Sequence, residues 1–197
     1  MVFLPFLVLM ACGNKDQQAN ADGTKSQPEA PAPLSKSANS EAFNTSFQQL
    51  LDSYYSLKDG LVKSTKAVDA SVDPSANALV KSADSLKLSE LQADQSIVDL
   101  AKDYLKSISA DAKGLAGEKD LEAKRKSFQT ISDNLYNLMR TVRYDRQVSY
   151  YQYCPMAFNN QGAYWLSKQS EIRNPYFGDK MLDCGETKET LDFTPKQ

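Results

Sequence analysis

The chain has 197 residues, of which 41% are hydrophobic and 24% are charged, with a formal net charge of −2. This length leaves room for one globular domain, and the near-neutral charge offers no basic face to a nucleic acid. The chain contains no histidine. It therefore lacks the usual general base, the usual zinc ligand and every Ser-His or Cys-His nucleophile.

The chain begins with an apolar segment, residues 2–11, that stops at Cys12. Such a segment is too short to span a bilayer but matches the hydrophobic part of a secretory signal peptide. Leu9 to Cys12 resembles the lipobox of bacterial lipoproteins. The resemblance implies removal of residues 1–11, acylation of the Cys12 thiol and a location in the bacterial envelope at the outer membrane, facing the periplasm or the surface. Because no basic residue precedes the segment, we expect the natural start to lie upstream.

After Cys12 comes a polar segment that extends to residue 40 and holds a single large aliphatic side chain, Leu34. It cannot bury enough apolar area to offset the entropy lost on ordering. We predict that residues 12–40 form a disordered tether between the acylated cysteine and a domain spanning residues 41–197.

The first part of the domain shows four amphipathic stripes with helical spacing. They run from Phe43 to Leu61, from Leu79 to Leu86, from Ile97 to Leu115 and from Leu121 to Val142. Short polar connections between the stripes predict an antiparallel bundle of about four helices, in a mainly α fold.

Three local features refine this prediction. Asp73-Pro74 is expected to supply an N-cap and a proline at the first helical position of the second helix, and Gly117 is expected to terminate the third. The charged residues that open the fourth helix, residues 118–126, are predicted to be its solvated face.

The C-terminal part, residues 144–177, holds nine of the 19 aromatic residues of the chain. Residues 147–153 have strand propensity and residues 186–193 are a candidate partner strand, so we predict a small irregular β element packed on the bundle. Aromatic residues at this density favour the core of a loop-rich region over a stacking platform for bases or sugars.

The two remaining cysteines, Cys154 and Cys184, lie in this part and allow two interpretations. An exported protein meets an oxidising compartment, which favours a Cys154–Cys184 disulfide. Each cysteine, however, has a methionine two or three residues away, Met156 and Met181. Two thiolates and two thioethers form a soft ligand set suited to monovalent copper. Either interpretation requires the two cysteines to lie close together.

Two segments resemble a known family. The run YQYCPMAFNNQGAYWLSKQSEIRNPYFGDKMLDCGE (Tyr151 to Glu186) and the run FQQLLDSYYSLKDGLV (Phe47 to Val62) are similar to the bacterial family catalogued as domain of unknown function 3347, over about residues 43–192. Members occur as small lipoproteins and as C-terminal modules of periplasmic adaptor proteins of copper/silver-type efflux pumps. The resemblance implies Cys154, Met156, Met181 and Cys184 as candidate ligands and an efflux adaptor as a candidate partner.

Two functions from different classes follow. The first is a membrane-anchored protein that binds a soft metal ion, Cu(I), in heavy-metal efflux or resistance. The second is a disulfide-stapled interaction module that docks an envelope partner. An enzyme is not expected, because the chain has no G-x-S-x-G, phosphate-binding glycine loop or H-E-x-x-H, and the resemblance implies no catalytic activity.

Overall fold

The computed structural model describes residues 37, 39–65 and 71–195. Four long helices make up most of this part: α1 (Glu41–Lys63), α2 (Val72–Asp84), α3 (Gln95–Gly117) and α4 (Leu121–Val142). Each packs against the next along the chain, which confirms the predicted bundle. None of the helices in the described ranges is long and apolar enough to cross a membrane. The predicted signal peptide, Cys12 and nearly all of the tether lie outside the described residues.

Capping side chains define the start of two helices. At α1 the Ser40 hydroxyl accepts a hydrogen bond from the backbone N–H of Phe43 at 3.1 Å. At α4 the Asp120 carboxylate accepts one from the N–H of Ala123 at 2.8 Å. Both bonds satisfy donors that the first turn of a helix leaves without an intrahelical partner.

The two expected caps of α2 and α3 are wrong. The helix α2 begins at Val72 with Ser71 in the cap position, so Asp73 lies inside the first turn. The Asp73 carboxylate instead accepts a bond from Lys124 in α4 at 2.6 Å. Gly117 is the last residue of α3 and Glu118 takes the C-cap position with an extended backbone. No left-handed residue is needed there, because the chain leaves α3 directly into an extended connection.

The predicted apolar stripes face one shared core. In α1 every stripe residue from Phe43 to Leu61 is fully buried. Tyr54 in this stripe also makes polar contacts: its hydroxyl lies 2.7 Å from the Ser132 hydroxyl of α4 and accepts a bond from the N–H of Leu166 at 3.0 Å. Its ring stacks on Phe128 with 5.2 Å between the ring centroids. One buried tyrosine therefore joins α1, α4 and the C-terminal region.

The prediction that residues 118–126 form a solvated face is wrong for two of them. The Lys124 side chain is fully buried, and its ammonium donates to Asp73 and, at 2.8 Å, to the carbonyl of Leu115. The Arg125 guanidinium is half-buried and donates to backbone carbonyls at the end of α1. The first turn of α4 thus packs into the bundle and contacts the ends of three other helices.

A three-stranded antiparallel sheet follows the bundle. It consists of β1 (Ser149–Cys154), β2 (Ala163–Ser167) and β3 (Glu186–Leu191), in the order β2-β1-β3. The predicted pairing of the first and last strands is confirmed, with Tyr153 opposite Glu186. The strand β2 was not predicted; it pairs with β1 on the other side and packs against α4.

Short elements and buried aromatic rings complete the C-terminal region. Two 3₁₀ turns span Leu88–Glu90 and Gly178–Lys180, and a four-residue turn, Ala157–Asn160, follows β1. Trp165, Tyr144 and Tyr176 are buried, in agreement with the prediction that the aromatics form a core. Half-buried tyrosines of α4 and the sheet stack on one another, with centroid distances between 3.8 and 4.7 Å.

Candidate functional site

The antiparallel sheet brings the two cysteines of the described region together. Cys154 is the last residue of β1, where it lies opposite Ala163 of β2. On the other side of β1, Tyr153 lies opposite Glu186, the first residue of β3. Because antiparallel strands run in opposite directions, the residue that follows Tyr153 lies beside the residues that precede Glu186. The register of β1 and β3 therefore places Cys184 beside Cys154, although the two residues are 30 positions apart in the chain.

The two sulfur atoms lie 3.6 Å apart and are not joined by a disulfide. Cys154 is fully buried, whereas Cys184 is partly exposed. Burial, followed by the hydrogen bond with Cys154, raises the pKa of the Cys184 thiol above its ordinary value. The site is thus a pair of unbridged thiols, with one sulfur accessible from solvent. This proximity is what both interpretations of the cysteines require.

A tight turn fixes Cys184. Its N–H donates to the carbonyl of Met181 at 3.2 Å, so these residues are related by a turn rather than by a helix. The fully buried Asn174 side chain donates to the Cys184 carbonyl at 2.8 Å, and the Asn174 backbone N–H donates to Leu182. The next residue, Gly185, has φ +150°, and an added Cβ would lie 2.9 Å from the Trp165 ring. Asn174, which no sequence pattern indicated, is thus a determinant of the site.

The two methionines form a second pair, around a surface cavity of about 440 Å³. Met156 follows the turn at Pro155 and is 45% exposed, and Met181 is partly buried. Neither cysteine is among the residues that line this cavity. The four predicted sulfur ligands are therefore grouped as a thiol pair and a thioether pair.

The spacing of the thiols fits a metal ion. The two sulfurs are 3.6 Å apart. An ion about 2.3 Å from each of them, the usual distance for a thiolate ligand, would have a sulfur–ion–sulfur angle of about 100°, which is close to tetrahedral. A disulfide instead requires the sulfurs to approach to about 2.05 Å. Within the described ranges, no group of three or more His, Cys, Asp or Glu residues is arranged to hold a metal. Any third protein ligand would consequently come from a different kind of group, such as a thioether.

These features define a class of protein: a small helical bundle that carries a thiol pair on a C-terminal three-stranded sheet. The family model described as "Protein of unknown function (DUF3347)" matches residues 50–147. This is the family that the resemblance predicted. The match includes most of α1 and all of α2, α3 and α4 but ends before β1, so it is shorter than expected and contains none of the four sulfur residues. No curated protein and no solved structure matches the chain.

Proposed function

We propose that this protein is a membrane-anchored lipoprotein of the bacterial envelope whose Cys154 and Cys184 thiols bind a soft metal ion, Cu(I). The observation that carries the metal proposal is the 3.6 Å separation of two unbridged sulfurs, one buried and one partly exposed. Thiolate ligands prefer soft cations, and this preference separates copper from calcium and magnesium. No catalytic step is part of this function.

Met156 and Met181 are the candidate additional ligands. A thioether is a soft, neutral donor, so it adds affinity for Cu(I) without adding charge. Met181 begins the turn that ends at Cys184, and Met156 follows Cys154 by two positions on an exposed turn. Both methionines lie in short connections rather than in long helices, which leaves room for their side chains to adjust to an ion.

A copper titration of the reduced protein tests this function. In competition with a chromophoric chelator, the wild-type protein should bind Cu(I), and Cys154→Ser or Cys184→Ser should abolish the binding because each removes a thiolate. Met156→Leu and Met181→Leu should weaken binding while leaving the free energy of unfolding within about 1.5 kcal/mol, since the side-chain volume is nearly conserved. Equal affinity across all these variants would refute the metal function.

The anchor and the partner belong to the same proposal. Lipid attachment at Cys12 would place the domain near the membrane, and the family context points to an adaptor protein of a heavy-metal efflux pump as the partner. A Cys12→Ser variant should lose acyl labelling and leave the membrane fraction, because the lipid chains supply the attachment. Labelling that persists in this variant would contradict the anchor.

The second candidate is a disulfide-stapled interaction module. It is favoured by the buried position of Cys154, because a disulfide is neutral and loses no charge solvation when it is buried. In the chain-entropy model, a bond across 30 positions stabilises the fold by roughly 3–4 kcal/mol. A free-thiol count on protein prepared from the envelope without reductant separates the candidates. Two free thiols per chain support the metal site, and none supports the staple.

A further inference from the structure

The cavity between the two methionines has features that the sulfur chemistry does not use. We name it the Arg125 cavity after the residue at its inner wall. Three parts of the chain enclose it: the first turns of α4, the turn that follows β1 and the 3₁₀ turn at Gly178–Lys180. Its volume of about 440 Å³ lies in the range of pockets that hold small organic ligands.

Gly178 explains how the 3₁₀ turn approaches the bundle so closely. Its φ is +57°, and an added Cβ would lie 2.6 Å from the carbonyl oxygen of Val62 at the end of α1. A residue with a side chain would therefore have to push the turn outward and open this wall. The close approach brings the turn against Arg125, whose Nη2 would lie 3.4 Å from that Cβ, and Phe177 and Lys180 on either side of Gly178 line the cavity.

Positive charge predominates in the Arg125 cavity. Arg125 and Lys180 contribute two cations, and Glu122 contributes one exposed carboxylate. The Arg125 guanidinium is held in place by bonds from Nη2 to the carbonyls of Leu61 and Ser64, both 3.3 Å long. Its Nε is buried and has no hydrogen-bond partner among the described residues. A buried donor without a partner is unfavourable, and the Arg125 side chain also lines the cavity, where its positive charge attracts an anionic group.

The rim of the cavity is a backbone turn in an unusual conformation. Phe158, Asn159 and Asn160 are consecutive residues in the left-handed region, with φ of 51°, 57° and 65°. This conformation costs roughly 1–2 kcal/mol for a residue such as phenylalanine, and such strain clusters at functional sites. The turn holds two exposed asparagine amides at the cavity, while the Phe158 ring packs against Tyr176 with 5.4 Å between the centroids.

Apolar side chains form the rest of the cavity lining. Met156 is the exposed large hydrophobic residue of the described region, and Phe158, Phe177 and Met181 also line the cavity. The cavity therefore combines two cations and two free side-chain amides with aromatic and thioether walls. These groups are complementary to a ligand that has a negative charge at one end and an apolar group at the other.

We infer that the Arg125 cavity binds a small organic carboxylate that carries an aromatic or aliphatic group. The carboxylate lies against Arg125 and Lys180, with the amides of Asn159 and Asn160 as further donors, and the apolar group lies against the phenylalanine and methionine side chains. A free hydrophobic amino-acid derivative and the C-terminal residue of a peptide share this chemistry. The site shares Met156 and Met181 with the proposed copper ligands but includes neither cysteine, so the inference does not rest on copper binding.

The test measures binding of N-acetyl-L-phenylalanine, the probe, to the metal-free protein by NMR or calorimetry. The neutral N-acetyl-L-phenylalanine amide is the matched control for charge. The acid should bind about tenfold more tightly than the amide, since a hydrogen bond to a charged group contributes at least that factor. A tripeptide that ends in phenylalanine distinguishes the sources: tighter binding than the single residue indicates a peptide C-terminus, and weaker binding a free small molecule.

Two variants test the assigned residues. Lys180→Gln removes an exposed charge, and Lys168→Gln, at an exposed lysine that does not line the cavity, is its control. The double variant Asn159→Gly/Asn160→Gly removes both amides but keeps the left-handed backbone, which glycine adopts without strain. It should unfold at the same or a higher temperature than wild type and still lose most of its affinity for the acid.

The expected pattern is a loss of about tenfold for Lys180→Gln, a similar loss for the glycine double variant and no change for Lys168→Gln. Any of three results would overturn the inference: absence of saturable binding of the acid, equal binding of the acid and the amide, or equal losses in Lys180→Gln and Lys168→Gln. If the glycine double variant bound the acid with the same affinity as wild type, the strained turn would not be part of the site, and the inference in this form would be refuted.

Discussion

The buried ion pair of Lys124 and Asp73 gives the sharpest test of how the bundle is held together. The Lys124 side chain is fully buried, whereas that of Asp73 is 34% exposed, and their charged atoms are 2.6 Å apart. Removing one partner of a buried pair typically costs about 3–5 kcal/mol, because the other charge stays buried without compensation. In Asp73→Ala the Lys124 ammonium keeps its bond to the Leu115 carbonyl, and water can enter where Asp73 was exposed. We therefore expect a loss of about 2–3 kcal/mol.

Urea denaturation followed by circular dichroism measures this loss. For a chain of this size, it corresponds to a fall of roughly 4–12 °C in the thermal midpoint. Asp103→Ala is the control, because its pair with Lys106 is exposed on both sides and should contribute under about 1 kcal/mol. The double variant Asp73→Ala/Lys124→Met should recover stability relative to Asp73→Ala, since it leaves no buried charge. If Asp73→Ala costs no more than Asp103→Ala, the assigned role of the ion pair is wrong.

Two further predictions concern the backbone and pH. Arg143 follows the last residue of α4 with φ 49°, and its guanidinium lies 4.5 Å from the centroid of the Phe193 ring. The variant Arg143→Gly should be about 1 kcal/mol more stable than Arg143→Ala. Both variants lose the ring contact, but only glycine removes the left-handed strain. A smaller stability for the glycine variant in thermal unfolding would contradict this. Burial raises the pKa of the Asp133 carboxyl, which accepts a bond from Tyr151. The stability that this carboxyl contributes is present at low pH and is lost as the pH rises through the raised pKa, so the stability of Asp133→Asn relative to wild type should increase as the pH rises from below the ordinary aspartate pKa through the raised one. A difference that does not change with pH would exclude this role.

The bundle could be predicted from the sequence because its signal is local. The spacing of apolar residues in α1 identifies a helix without reference to the rest of the chain, and Ser40 begins that helix as a cap should. The predicted cap of α2 was wrong because of a contact between distant parts of the chain. Asp73 has the right residue type and is followed by proline, but its carboxylate binds Lys124, which lies 51 positions away. The burial of Lys124 could not be predicted for the same reason, since only the folded bundle brings three helix ends around its ammonium.

The sheet and the candidate sites could likewise be predicted only in part. Strand propensity identified β1 and β3, but β2 is a five-residue strand inside an aromatic-rich segment, and its buried residues do not alternate with exposed ones. The proximity of Cys154 and Cys184 followed from chemistry, because a disulfide and a shared ion both require it. The Arg125 cavity could not have been predicted. Its rim depends on Phe158 in a left-handed conformation that this residue type normally avoids.

The family match and the candidate sites divide the chain at the same place, and the structure shows how the two parts are connected. The match ends at residue 147, whereas the four sulfur residues all follow it. Tyr54, within the match, accepts a hydrogen bond from the N–H of Leu166 in β2, so the bundle sets the position of the strand next to β1. Arg125 and Glu122, also within the match, line the cavity whose other lining residues follow residue 147. The C-terminal region therefore supplies the thiols and most of the cavity, but the bundle determines where they lie.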